Sequence, residues 1–429
     1  MAWPPPFRSL PNPRAVFAWG VYDLANQSFQ LLINTLLFSL FVEGVLVTEP
    51  GRGKGVWSAM ASVSLVGVVL LSPVAGAIAD VRAWKREMLI ATGLVCAVLT
   101  CLLGMLEPGR VGLGFALYVT AAIACGLGEN FLGSFLPEIS TPRTVGRVSA
   151  IGWTMSYVGA LLLLGITALY AFGLGRSEIG RMRPMFVFSG LWFMLGMLPA
   201  VLWLRERAEP VAGRAGLVET VSGAFVRLAA SARETARYRQ LARFYLAFFV
   251  YSTGTMTVIY FLGLIGNELG FGLGQLILMA LVVAVTAGAS AAFVGRVQDR
   301  VGHVRTIAVL LVAWIVATLT MAAAGWADLP DGFFWVVAGM IGFALGGIGT
   351  ASRALVGAFT PESRAGEFFG VWGMVYKLAG ICGIVAFGKV SAALGMPGAL
   401  CVVAGCFGAG LVLLFRVREA EGIAAGAEG

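Results

Sequence analysis

Twelve apolar stretches long enough to cross a bilayer dictate what this chain can fold into. They are 15–46, 56–79, 88–106, 111–136, 147–173 and 184–204, then 241–266, 273–294, 304–325, 333–357, 366–389 and 396–415. A spanning helix takes about 20 mostly apolar residues. In hydrocarbon each backbone N–H and C=O must pair within its own segment, so the expected fold class is an all-α membrane protein with 12 transmembrane helices. With 59% hydrophobic and 12% charged residues, a soluble chain of this size could not hide its apolar surface. The first stretch is longer than a crossing needs, and its last third is expected to be an extracellular extension.

Lysine and arginine set the orientation. With the N-terminus inside, 22 of the 30 fall on the cytoplasmic side and 6 on the other, while Lys377 and Lys389 lie within spans. Such a bias places both termini in the cytoplasm. The stretch RSEIGRMR, ending at Arg183, is the one poor fit. The net charge of +8 therefore reflects topology and not a nucleic-acid partner. The opening MAWPPPFRSLPNPR has no short apolar core and no small-residue cleavage site, so the first span is expected to direct insertion itself.

Several chemistries are excluded. The six cysteines lie in apolar runs without a CxxC pair, and His303 is the single histidine, so no metal site is expected. His303 reads as an exposed loop residue, with a pH-sensing role as the alternative. There is no Ser–His–Asp set and no GxxxxGK[ST] loop, so neither an enzyme nor a cofactor is expected. The glycine-rich GGIGTASR lacks a lysine and reads as close helix packing that ends in Arg353.

Two halves echo each other. GAIADVRAWKRE carries Gly76 and Asp80, and GRVQDRVGHVRT carries Gly295 and Asp299, 219 residues further on (295 − 76). Pro137 and Glu138 are echoed by Pro361 and Glu362, and Tyr157 by Tyr376, again 219 apart (376 − 157). A duplicated six-helix unit follows, a signature of secondary transporters that rock around a midplane site. The expected domains are a bundle at 1–204, a charged and partly amphipathic cytoplasmic linker at 205–240, and a bundle with a short cytoplasmic tail at 241–429. The linker reads as lying against the inner leaflet, or as a regulatory helix. Gly76, Asp80, Arg82, Arg86, Glu138 and Arg147, with Asp299, Arg300, Arg353 and Glu362, are the candidate cytoplasmic gate. Glycine would allow close approach there, and the aspartates would cap helix ends or pair with arginine, or simply set topology.

Polar residues inside the spans mark the candidate site. Asp23, Gln27, Gln30 and Asn34 are spaced four, three and four, which puts them on one face of an α-helix. Asp23, Glu129 and Lys377 are charges at membrane depth and cost about 2.5–3.5 kcal/mol each on insertion scales if they face lipid. Asp23 is read as a coupling-proton carrier or a ligand for a substrate amine. Lys377 is read as a ligand for a carboxylate or phosphate. For both, an interhelical ion pair is the alternative. Glu129 with Asn130 forms a second proton site or pins its helix to a loop arginine. Asn26, Tyr157 and Tyr376 complete the candidate set, and helix–helix hydrogen bonding is the alternative for the amides.

These stretches carry a resemblance. AWGVYDLANQSF (18–29), ENFLGSFLPEIS (129–140), GRVSAIGWTMSYVG (146–159), RPMFVFSGLWFMLGMLP (183–199), FLGLIGNELG (261–270), GGIGTASR (346–353) and PESRAGEFFGVWGMVYKLAG (361–380) resemble the Atg22-like vacuole effluxer group of the major facilitator superfamily. The resemblance implies two pseudo-symmetric six-helix bundles and alternating access, and fungal members are described as exporting amino acids. The chain departs from that pattern at Leu24, Gln27, Thr253 and Gly349. The resulting expectation is a monomeric, multi-pass carrier in a bacterial inner membrane, proton-coupled, moving small polar or zwitterionic solutes such as amino acids. The alternatives are a sugar, organic-anion or lipid carrier, or a non-transporting receptor or assembly protein of the same fold.

Overall fold

In the computed structural model of the chain, residues 7–8, 10, 12–140, 145–175, 178–206, 237–327, 331–360 and 365–428 are described, with 223, 226, 230 and 233 as isolated positions. The helices are α1 (Pro13–Leu46), α2 (Gly53–Arg82), α3 (Lys85–Leu103), α4 (Val111–Ser134), α5 (Val145–Gly173) and α6 (Arg183–Trp203). They continue as α7 (Arg239–Glu268), α8 (Leu273–Val301), α9 (His303–Ala324), α10 (Asp331–Phe359), α11 (Ala365–Leu414) and α12 (Glu419–Glu428). Among the described residues, 11 helical stretches are long and apolar enough to cross a membrane. The last of them, within α11, holds 47 residues, about 70 Å at 1.5 Å per residue. Gly395, at φ +70, breaks α11 just ahead of Pro397, so α11 supplies two crossings in the place the sequence expects them.

The end of α1 stays helical. Residues 38–46 continue the helix, and Phe38, Phe41, Val42 and Leu46 are buried. RSEIGRMR also gains an explanation. Glu178 pairs with Arg181 at 3.1 Å, and the Arg183 guanidinium lies 5.7 Å from the centre of the Phe41 ring, so these arginines do not stand as bare charges. Most of the expected linker lies outside the described residues.

The chain divides into two compact units, Met1–Phe225 and Val226–Gly429. In the first, α1 packs on α5 and α6, α2 on α4, and α3 on α4 and α6. In the second, α7 packs on α11, α8 on α10, and α9 on α10 and α11. The offset of 219 runs through the helices. Ala83 ends α2 at φ +53, and Gly302 ends α8 at φ +98, again 219 residues later (302 − 83). The rings of Trp153 and Tyr157 on α5 recur as Trp372 and Tyr376 on α11. The Pro–Glu echo is out of register, because Glu138 and Glu362 are 224 apart (362 − 138). Pro137 offers no N–H to continue a helix, so α4 stops at Ser134 and a separate turn spans Leu136–Ile139. At the matching place α10 carries Val356 and runs on to Phe359.

Within each unit one helix is central. In the most apolar window of α1 and of α7, 72% of residues are buried, against 33–50% elsewhere. Glycines let neighbours reach α1. A Cβ at Gly159 would sit 2.4 Å from the Leu24 carbonyl oxygen, and one at Gly196 would sit 2.2 Å from the Ala25 Cβ. In the second unit Gly346 lies against the backbone of Ala287, so close packing holds for the start of GGIGTASR, while Gly349 faces open space.

The expected short tail is a helix. On α12, Glu419 accepts hydrogen bonds from the backbone N–H of His303 (2.8 Å) and Val304 (3.0 Å), and lies 2.7 Å from His303 Nδ1. Gln240 of α7 donates to Glu421 and accepts from the Arg418 N–H. His303 is therefore covered by the tail and is not an exposed loop residue. Burial opposes ionisation of Glu419. The N–H groups of Val304 and His303, with the His303 ring, outweigh it and hold the carboxyl below its ordinary value of 4.5.

Two outcomes are expected. Ala83→Gly relieves a left-handed alanine and raises unfolding free energy by about 1 kcal/mol, read from denaturation in detergent. Glu419→Gln weakens the cap on α9 by about 1 kcal/mol, read as faster amide exchange at His303 and Val304. Because the folded-state value is depressed, that protection is complete above the ordinary carboxyl value and fades as pH falls below it. The glutamine variant lacks this pH dependence.

Candidate functional site

The polar residues of α1 sit on a helix whose winding changes. From Ser28 to Leu37 the chain is π-helical, and the Phe38 N–H bonds to the Ile33 carbonyl five residues back. The Thr35 hydroxyl likewise reaches the Gln30 carbonyl at 2.9 Å. A π turn holds more residues than the 3.6 of an α turn, so each residue rotates the helix less. This wider turn brings Asn34 round to the side that Asn26 and Gln30, four residues apart, already share. The single stripe expected from α-helical spacing therefore splits. Gln27 Nε2 donates to Ser156 Oγ of α5 at 2.8 Å. Asp23, one α turn earlier, is half-buried.

The other part of the stripe forms a ladder with α4. Asn26 Nδ2 and Gln30 Nε2 both donate to Glu129 Oε1, at 3.0 and 2.8 Å. Cys125 Sγ donates to Asn26 Oδ1 at 3.1 Å, and Gln30 Nε2 lies 3.5 Å from the same sulfur. Asn34 Nδ2 donates to Gln30 Oε1 at 3.3 Å, and the Tyr118 hydroxyl donates to Asn34 Oδ1. The rungs run up α1 and down α4, as antiparallel helices require. Glu129 keeps an exposed edge, while Tyr118 and Cys125 are buried.

Asn130 and Glu129 point to different neighbours. Consecutive residues on a helix point about 100° apart. Asn130 Nδ2 instead donates to Ser72 Oγ of α2 at 2.7 Å. Tyr22 is a packing residue, buried with its hydroxyl donating to the Leu89 carbonyl at 3.3 Å. Tyr157 stacks beside Trp153, with ring centres 6.1 Å apart. In the second unit Tyr376 packs on Phe248 at 5.8 Å, and Lys377 is half-buried on the first arm of α11.

Sequence reasoning missed Tyr118, Cys125 and Ser156. A signal existed for two of them: Tyr118, Cys125 and Glu129 are spaced seven and four, one face of a helix.

The gate candidates are mixed. Gly76 lies inside α2 and Gly295 inside α8, not in loops. A Cβ at Gly76 would meet nothing within 4 Å, and one at Gly295 only Thr350 Cγ2 at 4.0 Å, so close approach explains neither glycine. Arg82 stacks on Trp84 at 4.7 Å. Glu138 accepts from Lys85 Nζ at 3.2 Å, with both side chains mostly buried. Arg86 donates to the Val201 carbonyl and to Glu206. These contacts are internal to the first unit and brace one end of it. Arg300 is exposed at the end of α8, and Arg353 lies 5.9 Å from the centre of the Trp372 ring. Glu362 and the side chains of Asp80, Arg147 and Asp299 lie outside the described residues.

The second copy of the fold gives an internal control. Adding 219 turns Tyr118, Cys125, Glu129 and Asn130 into Val337, Ala344, Ile348 and Gly349. α10 still packs on α8 and α9 as α4 packs on α2 and α3.

A family model described as "Vacuole effluxer Atg22 like" matches residues 54–426. The chain is 24% identical over 383 residues to the uncharacterized MFS-type transporter YxiO of Bacillus subtilis, covering 85% of this chain and 86% of that protein. Among solved structures it is similar to a D-xylose–proton symporter, with TM-score 0.72, 12% identity and coverage of 95% of this chain and 98% of that one. It is also similar to the nucleoside transporter NupG, with TM-score 0.68, 14% identity and coverage of 94% and 97%. These likenesses establish the major facilitator fold.

Double-mutant cycles separate the rungs. Gln27→Leu with Ser156→Ala is expected to give a coupling energy of about 0.6 kcal/mol, the usual worth of a neutral side-chain bond in a membrane. Asn26→Leu with Glu129→Gln is expected to give roughly twice that, because its acceptor is charged.

Proposed function

The chain belongs to the Atg22-like vacuole effluxer family, and from that premise we propose a proton-coupled secondary transporter that moves a small neutral hydroxylated solute by alternating access. The observation that carries this reading is the ladder itself. The second unit builds the same helix pairing with Val337, Ala344, Ile348 and Gly349, so α4 does not need its polar set in order to fold. A carboxylate with an exposed edge, held by two amides at membrane depth, can take and return a proton. Gln27 and Gln30, half-buried beside it, carry donors and acceptors of the kind that match hydroxyl groups, while Asn26 and Asn34 are buried behind them.

The donor set bears on the solute. An amino acid, the expectation from the family resemblance, needs a cation for its carboxylate. The six expected spans of the first unit carry no lysine or arginine apart from Arg147 at the start of the fifth, so the ladder itself offers a carboxylate no cation, and Lys377 lies in the other unit. Two carriers of this fold handle a sugar with a proton and a nucleoside, which makes neutral hydroxylated solutes the first class to test. Asp23 and Lys377 are assigned to ion or substrate binding as charges at depth. Both termini are assigned to the cytoplasmic side, where the arginine-rich helix ends would form the gate.

The test is counterflow into proteoliposomes of labelled D-xylose, uridine and a pooled set of amino acids. Entry of xylose or uridine above empty liposomes supports the reading, and entry of amino acids alone overturns it. Glu129→Gln is expected to retain counterflow. It should slow pH-gradient-driven uptake about tenfold, or ~1.4 kcal/mol in the barrier.

A further inference from the structure

Three of the four amides on this stretch of α1 are taken up by the protein itself. Asn26 donates to Glu129 and accepts from Cys125. Gln30 donates to Glu129 and accepts from Asn34, and Asn34 in turn accepts from Tyr118. Each is bonded at its nitrogen and at its oxygen. Gln27 differs. Its nitrogen donates to Ser156 Oγ at 2.8 Å, and its oxygen receives no hydrogen from any described residue. That oxygen is not sealed inside the bundle but stays open to solvent.

The place of this open end is built by the packing of α5 on α1. α5 turns Gly152, Ser156 and Gly159, spaced four and three, toward α1. Gly152 leaves room for the Trp19 ring, and Gly159 for the Leu24 carbonyl. The two helices thus lie close enough for a side chain as short as serine to reach Gln27. Around Gln27 the residues Tyr22, Ala25, Asn26, Ser28 and Phe29 are buried. Asp23, Leu24, Gln27, Gln30 and Leu31 are half-buried and form the open edge of the helix, so the free end of Gln27 lies on that edge.

The second copy shows that the serine is not needed for the fold. Adding 219 turns Trp153 and Tyr157 into Trp372 and Tyr376, but turns Ser156 into Val375. α11 keeps the aromatic pair and drops the hydroxyl.

An amide held at one end presents its other end to whatever enters. As Gln27 stands, that end is an oxygen, which accepts. Ser156 can donate as well as accept, so the amide can also be held with its nitrogen outward. A solute hydroxyl answers either end, because it too donates and accepts. A C–H answers neither. Once a carrier closes round its solute and water has left, an amide end that meets no partner goes unpaired, and the solute that lacks the hydroxyl binds less well.

Resting on the reading of the chain as a carrier of hydroxylated solutes, we propose that Gln27 is a specificity-determining residue that binds one hydroxyl of the solute, with Ser156 as the positioning residue that holds its amide in place.

The test is counterflow into proteoliposomes of the full chain, with labelled D-xylose or uridine as the carried parent and its monodeoxy analogues as competitors. Wild type is expected to bind one deoxy analogue about fivefold less well than the parent, and Gln27→Leu to bind the two alike. Ser156→Ala is expected to shrink that same preference about twofold, and Ser156→Thr, which keeps the hydroxyl, to restore it. Where Gln27→Leu carries too little to measure, the two Ser156 variants decide. A preference that survives unchanged in Gln27→Leu overturns the proposal. So does a Ser156→Ala variant that weakens parent and analogues equally, as a mere brace between helices would, or a wild type that binds parent and all analogues alike. In each of these cases the carrier reading stands. Entry of neither parent overturns the carrier reading and the proposal with it.

Discussion

A carboxylate in the interior of a membrane bundle must be held, and the first unit is arranged around holding Glu129. On insertion scales such a charge costs about 2.5–3.5 kcal/mol when it faces lipid. Two amide N–H groups meet one of its oxygens, at 3.0 and 2.8 Å. Asn26 and Gln30 stand four residues apart on one face of α1, and the winding changes between them, after Gln27. In an unbroken α-helix Gln30 would still share a face with Asn26, four residues earlier, but Asn34 would drift toward the side of Gln27. The π-helical segment therefore serves the ladder around the carboxylate. π turns are uncommon and are found mostly at functional sites, which is consistent with that service.

The polar set is tolerable because α1 is the innermost helix of its unit. Its neighbours come close enough to exclude lipid where glycine replaces a side chain, as at Gly159 against the Leu24 carbonyl and Gly196 against Ala25. Burial of this kind has no strong hydrophobic drive in a membrane, and small residues supply the contact that takes its place. The same glycines thus shield the amides from lipid and give them partners on α4 and α5.

How much of this was legible in the sequence follows from which features are periodic. Span length and the repeat at 219 are properties of the text, so the crossings and the duplicated unit could be read directly. The Pro–Glu echo failed because text similarity does not require register: Pro137 breaks one helix and has no counterpart in the other. Asn26, Gln30 and Glu129 were identified as polar residues in apolar runs, but their grouping was not, because the four-three-four stripe assigned Gln30 to the side of Gln27 and spacing within one helix does not say which helix faces it. Tyr118 and Cys125 were passed over because each counts as apolar in composition while bonding as a polar group. The tail was read only as a short cytoplasmic segment, because the partners of Glu419, the open N–H groups of α9, are not visible from sequence spacing.

The duplication also separates what the fold needs from what the site needs. Where both copies keep a feature, such as the left-handed residue between second and third helices, backbone geometry accounts for it. The two meet the positive φ differently, Ala83 at φ 53, ψ 51 with some strain and Gly302 at φ 98, ψ 141 without it. Where one copy keeps a polar residue and the other replaces it with a side chain that packs equally well, packing cannot be the reason for the polar one. Glu129 faces Ile348 in this comparison, Cys125 faces Ala344 and Tyr118 faces Val337. The whole set is replaced together on one helix face. That is what a linked hydrogen-bond system predicts, because a half-satisfied network is worse than an apolar one. The ladder is thus one unit of function laid over a scaffold that stands without it.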